Sequence, residues 1–388
     1  MIYVKRPSYL SFLLQNKDKE TVKILNGLRG CGKTTILRQY QEALVKEGVP
    51  EEQIFYADLG AMTGPLPDEK ALFRMICSRY HSDRKAYVLL DEVEVLPRFE
   101  QLADNLFLRK NIDLTLAGSG KGPDTPLLRK LLPGRCAALE VRPLSFKEFL
   151  TARPDDNLAQ ALRTYVTGST LPGALSLPLP EEYMARVMDS TVLRDICLPD
   201  RTLRPQLVMR LIARLGASSG LPLSLEELAV YLGRAGRPLL MKTVFTAIDA
   251  LTESGLFLFV PEGKAEETKR GTFYLADPGM LTLFAPPEAL TGTRLLTHAA
   301  ALELTRRFGP LTAVKTPEGI IPFTAEKSGL SLQVQFIPDP AAPDVLSRID
   351  ALAHGGDGAE KCILTLSPDM IEAPQGIAVT DFIQWLLK

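Results

Sequence analysis

The 388-residue chain has few cysteines, and none of them is arranged for chemistry. Cys31, Cys77, Cys136, Cys197 and Cys362 are odd in number, far apart and without a C-x-x-C pair. That excludes a disulfide framework and a cysteine-built zinc site and suits a reducing compartment. An excess of one charge is also missing. The formal net charge is -1 and the pI about 6.4, so any contact with nucleic acid must come from a local patch rather than a whole-protein field. No apolar run approaches the ~18 residues of a membrane span, and the opening MIYVKRPSYL lacks an apolar core of signal-peptide length. A cytosolic protein with no membrane partner is expected. What remains is an ordinary globular composition, 46% hydrophobic, long enough for roughly two to four domains.

The most informative stretch is TVKILNGLRGCGKTTILRQYQEALVKEG, Thr21 to Gly48. Its β-branched and aliphatic opening reads as a buried strand, Gly27 to Thr34 spells G-x-x-x-x-G-K-[ST], and an amphipathic helix follows. Glycines at 27, 30 and 32 let the backbone bend into a nest of inward-pointing N–H groups. Lys33 would then reach the β- and γ-phosphate oxygens of a nucleotide such as ATP, Thr34 would bind Mg²⁺, and the helix dipole would favour the anion. The binding set is Gly27, Leu28, Arg29, Gly30, Cys31, Gly32, Lys33, Thr34 and Thr35. Among loop amides just ahead of a helix, Cys31 is expected to alkylate readily unless nucleotide covers it.

AYVLLDEVE, Ala86 to Glu94, is an apolar run ending in two carboxylates. After a phosphate loop, Asp91 is expected to hold Mg²⁺ and Glu92 to polarise the attacking water. Asp58 ends an earlier strand, QIFYADL, and reads either as facing the nucleotide or as a turn cap. DLTLAGS, Asp113 to Ser119, ends in a candidate γ-phosphate sensor, Ser119. A helix over Lys121 to Leu132 and a strand over Ala137 to Val141 follow, and Asp68 is placed to cap a helix over Asp68 to Tyr80. Alternating strands and helices of this kind imply an α/β fold, a three-layer parallel sheet with nucleotide at the strands' carboxyl edge.

GLRGCGKTTIL, YVLLDEVE, LAGS and PGR followed by LEVRPLSFKEFL resemble the ATPase domain of prokaryotic AAA-superfamily ATP-binding proteins that carry a C-terminal nuclease-like domain of unknown function. The resemblance implies an ATP- and Mg²⁺-dependent ATPase over residues 1–150, a helical lid over 151–200, a winged helix over 201–288 and a nuclease-like α/β domain over 289–388. It also implies an arginine that touches the γ-phosphate, often from a neighbouring subunit of a homo-oligomer. Arg135 is the candidate, with Arg129 and Arg142 as rivals. The family usually has Asn after Gly-Ser at the sensor strand, where this chain has Gly120. Arg194 and Asp195 match a family block and read as a structural ion pair.

In the middle of the chain, Arg201 to Leu215, Ser224 to Arg234 and Leu239 to Ser254 read as helices, Ser224 and Glu227 as a capping box, and LFLFV with TFYLAD as a hairpin. Three helices and a wing would place Arg234, Arg237, Lys242, Lys269 and Arg270 toward DNA, or else form an interaction module. Farther on, a metal-dependent nuclease needs Asp on one strand and Glu-x-Lys on the next. This chain has Ile320-Ile321-Pro322-Phe323 and Gln333-Val334-Gln335, and neutral amides do not replace charged ligands. An inactive nuclease fold that binds an unidentified protein partner is the expectation.

Overall fold

The computed structural model describes every residue except 1–2, 63–66, 81–83, 121, 234–236, 264–269, 328 and 357. Five strands, β1 (Val22–Asn26), β2 (Ile54–Asp58), β3 (Ala86–Asp91), β4 (Ile112–Gly118) and β5 (Cys136–Glu140), pair in parallel in the order β2-β3-β4-β1-β5. Parallel sheets are covered by helices on both faces, so β3 is buried along its whole length and reads as one apolar run. Two charges do enter the sheet: Lys23 on β1 and Asp113 on β4 are both buried and pair with each other. β1 lies between β4 and β5, so its carboxyl end, from which the phosphate-loop segment leaves, stands between theirs.

Helices Lys33–Lys46, Glu69–Arg79, Phe99–Phe107 and Pro126–Leu131 connect these strands. The Asp68 side chain accepts the Ala71 amide at 2.6 Å and starts the second of them, as anticipated. The fourth begins later than expected, because Thr125 caps the Leu128 amide and Pro126 occupies the first turn, where its missing N–H costs nothing. Lys121, the expected start, lies outside the described residues.

After β5 the chain turns helical, with Phe146–Ala152, Leu158–Thr167 and Pro180–Ser190, the last running on as a π-helix over Thr191–Cys197. Next come helix Pro205–Ala217, β6 (Pro222–Ser224), helices Leu225–Leu232 and Met241–Glu253, then β7 (Phe257–Pro261) and β8 (Arg270–Leu275), whose antiparallel sheet runs β6-β8-β7. Ser224 caps its helix, but the reciprocal capping box is formed by Ser145 and Glu148, in the LSFKEFL block. Helix Gly292–Phe308 leads to a third sheet, β9 (Leu311–Thr316), β10 (Gly319–Lys327), β11 (Leu330–Phe336), β12 (Glu360–Thr365) and β13 (Ile377–Asp381). The first three are antiparallel and the last three parallel, ordered β13-β12-β11-β10-β9.

The buried apolar residues form three clusters, the smallest of them, around Ile321, Ile349 and Ile363, at the third sheet. Leu25 of β1, Phe146, Leu211, Phe273 and Phe323 belong to a single buried cluster, while a second cluster fills the other face of the parallel sheet. Among the described helices none is long and apolar enough to cross a membrane. All five cysteines are free.

A candidate nucleotide site at the carboxyl edge of the parallel sheet

The loop leaves β1 at Asn26 and enters helix Lys33–Lys46 at Lys33. Gly27 passes so close to the next strand connection that a Cβ there would lie 2.1 Å from the Val141 carbonyl oxygen, and Gly32 turns with φ +103°, so both positions require glycine. Lys33 is buried and folds back across the loop. Its Nζ donates to the Gly27 and Leu28 carbonyls at 2.8 and 3.0 Å and to the Ser119 hydroxyl at 2.7 Å. The sensor candidate just after β4 thus meets the loop lysine directly.

On the next strand, Asp91 is 1% exposed, and its Oδ2 accepts the Thr34 hydroxyl at 2.6 Å. Burial raises the Asp91 carboxyl above its ordinary pKa, against the opposing pull of the Thr34 hydrogen bond and of Lys33. Glu92 sits at the strand end with φ +50°, a left-handed conformation sparsely populated outside glycine that turns its carboxylate back toward the loop. There it accepts Arg29 Nη1 at 2.7 Å.

Arg29 organises the rest. Its Nε lies 3.1 and 3.0 Å from the two oxygens of Asp195 and its Nη2 lies 2.7 Å from Oδ1, a forked contact between the loop and the π-helix Thr191–Cys197. The same Nη2 is 3.4 Å from Glu94, whose carboxylate also accepts the Ser119 amide at 3.0 Å. Burial pushes Glu94 up to about 7, and its second oxygen has no partner. Two cations, Lys33 and Arg29, therefore face four carboxylates: Asp91, Glu92, Glu94 and Asp195.

The helical segment after β5 packs over the loop from the same side. Tyr183 of helix Pro180–Ser190 packs its hydroxyl against Gly30, and Pro172 lies over Gly32. Gly120, where the family resemblance leads one to look for Asn, has φ +65°, and a Cβ there would fall 2.7 Å from the Asp195 Cβ. Glycine at this position is what admits Asp195 to the site.

Several sequence expectations are corrected. Asp195 pairs with Arg29 rather than with its neighbour Arg194, which is exposed. Arg135 stands at the wrong end of the sheet to reach the loop of its own chain. Its carbonyl accepts the Val22 amide at the amino end of β1, and its guanidinium lies over the Phe107 ring and 3.4 Å from Glu20. Of the rivals, Arg129 is held by Asp124 and Arg142 by Glu140. Cys31 is fully buried, so the labile thiol expected from its place among the loop amides is shielded by packing. Asp58, read in the sequence either as facing the nucleotide or as a turn cap, is no such correction: it caps a turn by accepting the Ala61 amide at 3.0 Å. Glu94 was visible in the sequence as the third acid of DEVE, whereas the role of Asp195 had no local signal, since 166 residues separate it from Arg29.

Residues 19–150 match the family model described as an AAA domain. This region is an AAA domain. An uncharacterised protein of Haemophilus influenzae is 25% identical over 397 residues, covering 99% of each chain. Among solved structures, the Walker-type ATPase PABY2304 of Pyrococcus abyssi is similar at 17% identity and TM-score 0.43, covering 72% of this chain and 95% of that one. AMPPCP-bound DnaA of Aquifex aeolicus is similar at 15% identity and TM-score 0.30, covering 63% of this chain and 86% of that one. The Aeropyrum pernix ORC1 protein, in complex with DNA, is similar at 15% identity and TM-score 0.33, covering 78% and 94%. The AAA domain supplies Lys33, Thr34, Asp91 and Ser119 to one point; the π-helix Thr191–Cys197, outside the matched residues, supplies Asp195.

Proposed function

We propose that the chain is an ATP-hydrolysing switch, in which the AAA domain carries the chemistry and the lid reports its state. The observation that carries this reading is the convergence of Lys33, Thr34, Asp91 and Glu92 at one sheet edge, with Arg29 joining Glu92 to the lid through Asp195. Mg²⁺ fits the residues present. A hydroxyl and a carboxylate 2.6 Å apart offer it hard oxygen donors, and Mg²⁺ takes few protein ligands because it keeps much of its water. When bound, the metal would screen charge on the phosphates. Lys33 would bind the β- and γ-oxygens once released from its carbonyl partners, Glu92 would orient the attacking water, and Ser119 would sense the γ-phosphate beside Lys33.

Arg29 gives the switch its logic. Arg29 is shared by Glu92 and Asp195, so this arrangement engages the residue proposed to position water and ties the lid to the loop. A γ-phosphate offers Arg29 a competing partner with matching fork geometry. Its arrival would free Glu92 and loosen the lid together. The test compares wild type with Glu92→Gln and Lys33→Ala: Glu92→Gln should bind ATP and lose turnover, while Lys33→Ala should lose affinity. Undiminished hydrolysis by Glu92→Gln would remove Glu92 from its role.

The units beyond the lid we read as a winged helix and an inactive nuclease fold. Support for inactivity lies in Gln333 and Gln335, both buried, with the Gln335 amide donating to the Ile320 carbonyl at 2.7 Å. These side chains pack the sheet where metal ligands would stand. A duplex-DNA role for the winged helix is the weaker reading. Helix Met241–Glu253 turns Phe245, Asp249 and Thr252 into a cleft between units, not onto an open basic face, and Arg234 and Lys269 lie outside the described residues.

A further inference from the structure

Three units meet around a cleft of ≈ 1270 Å³. Helix Pro7–Gln15 and the turn into helix Phe146–Ala152 form one wall, helix Met241–Glu253 and β7 the second, and the end of helix Gly292–Phe308 with the turn into β9 the third. Its lining is apolar at depth and basic at the edge. Phe12, Phe245, Ile248, Phe259, Phe308 and Pro310 line it, and Phe245 is 42% exposed despite its size. Lys5, Lys147, Lys327 and Lys388 are exposed, and none has an ion-pair partner among the described residues. Of the three acids on the walls, Glu140 is held by Arg142 and Glu148 by Arg6, leaving Asp249. A chain with net charge -1 has thus gathered uncompensated positive charge around one apolar recess.

We propose that this cleft binds an acidic amphipathic helix of a protein partner, its apolar face on the phenylalanines and its carboxylates against the four lysines. Charge and shape both point there. An apolar groove with a charged margin takes a helix through anchors at i, i+3, i+4 and i+7, and complementary charges fix its orientation. Single-stranded nucleic acid suits the cleft less well, because the arginines that read phosphate bidentately are already engaged. Arg142 is bound to Glu140, and Arg306 and Arg307 are bound to Glu303, with Arg307 also lying 4.1 Å over the Trp385 ring. Stacking faces are scarce too: Phe259 is stacked on Phe273, and Phe257 is buried.

The cleft reaches the nucleotide loop. Leu28 lines it, a Cβ on Gly255 would lie 3.2 Å from the Leu28 amide nitrogen, and the Leu28 carbonyl holds Lys33. A helix that displaced the Met241–Glu253 wall would therefore press on Leu28, so the occupant and the ATP site would sense one another. This coupling rests on the ATPase reading; binding in the cleft does not.

The test uses the full chain without nucleotide and fluorescent synthetic peptides of ~18 residues, long enough to be helical, with Leu and Phe on one face and Glu on the other. A counterpart with Lys in place of Glu and a ~20-nucleotide oligothymidylate complete the probes. Anisotropy is read from about 50 to about 300 mM NaCl. The acidic peptides should bind about tenfold or more tightly than the Lys counterpart, and the double variant Lys147→Glu/Lys327→Glu should weaken them by about the same factor. Phe245→Asp should abolish binding. All three positions are exposed, so these variants fold, and circular dichroism confirms it. Absence of binding across the acidic peptides overturns the proposal, and so does equal binding by the variants. Oligothymidylate bound more tightly than the peptides, and lost in the same variants, would make the cleft a nucleic-acid track instead.

Discussion

Asp195→Asn isolates the contact that joins lid to loop. Asn keeps the shape and one acceptor oxygen but removes the charge that receives Arg29 at 2.7, 3.0 and 3.1 Å. Deleting one member of a buried pair costs about 3–5 kcal/mol when the survivor is left alone. Arg29 is not left alone, since Glu92 at 2.7 Å and Glu94 at 3.4 Å remain. The loss should therefore be that of a charge-assisted hydrogen bond, about 1.5–3 kcal/mol, or roughly a ten- to hundredfold rise in lid opening. Amide hydrogen exchange reads this directly: peptides over Pro180–Ser190 and Thr191–Cys197 should exchange faster by about that factor, while helix Val345–Ala353 stays unchanged. Because Arg29 would then be freer to meet a γ-phosphate, ATP affinity should rise and ADP affinity should change less. Unaltered exchange in the lid, or weaker ATP binding, would refute the latch.

Other outcomes follow from single residues. Cys31, being fully buried, should alkylate more slowly than Cys77 in the folded protein; faster labelling, read by peptide mass spectrometry, would show that the loop is open. His298 is fully buried with its Nε2 2.6 Å from the Leu275 carbonyl, and burial pushes the imidazole down from 6.5 to about 4. The unfolded chain then takes up the proton first, so this stabilisation is present above about pH 6.5 and is lost as pH falls through about 4, to an extent of about 3 kcal/mol. His298→Gln should flatten the acid side of a Tm-against-pH curve over that window, and parallel curves would contradict it. Arg135→Ala should leave ATP affinity unchanged. Any loss of turnover should come with activity that rises with protein concentration and recovers on mixing with Glu92→Gln, whereas a loss in dilute, monomeric protein would contradict its placement away from its own loop.

The sequence by itself determined the parallel sheet and which candidate residues stand along its carboxyl edge. Gly27 to Thr34 and the run ending in Asp91-Glu92 are local patterns whose meaning depends on backbone freedom and strand burial. Both are set within about ten residues, so they could be read without neighbours. The later helices and hairpins were legible for the same reason, from periodicity and caps, with ends misplaced by a few residues where Pro126 and Thr125 set the true start. Tertiary structure alone decided which charges meet. Arg29 looked like one more loop residue and Asp195 like half of a local pair, yet packing joined them across 166 residues and used Gly120 to make room. Packing likewise withdrew Cys31 from solvent and set Arg135 at the far end of β5, because exposure and sheet edge are properties of the assembled layers. The cleft, whose lysines come from positions 5, 147, 327 and 388, exists only where three units converge. Spacing along a chain specifies elements, but long-range approach is fixed by how their apolar faces pack together.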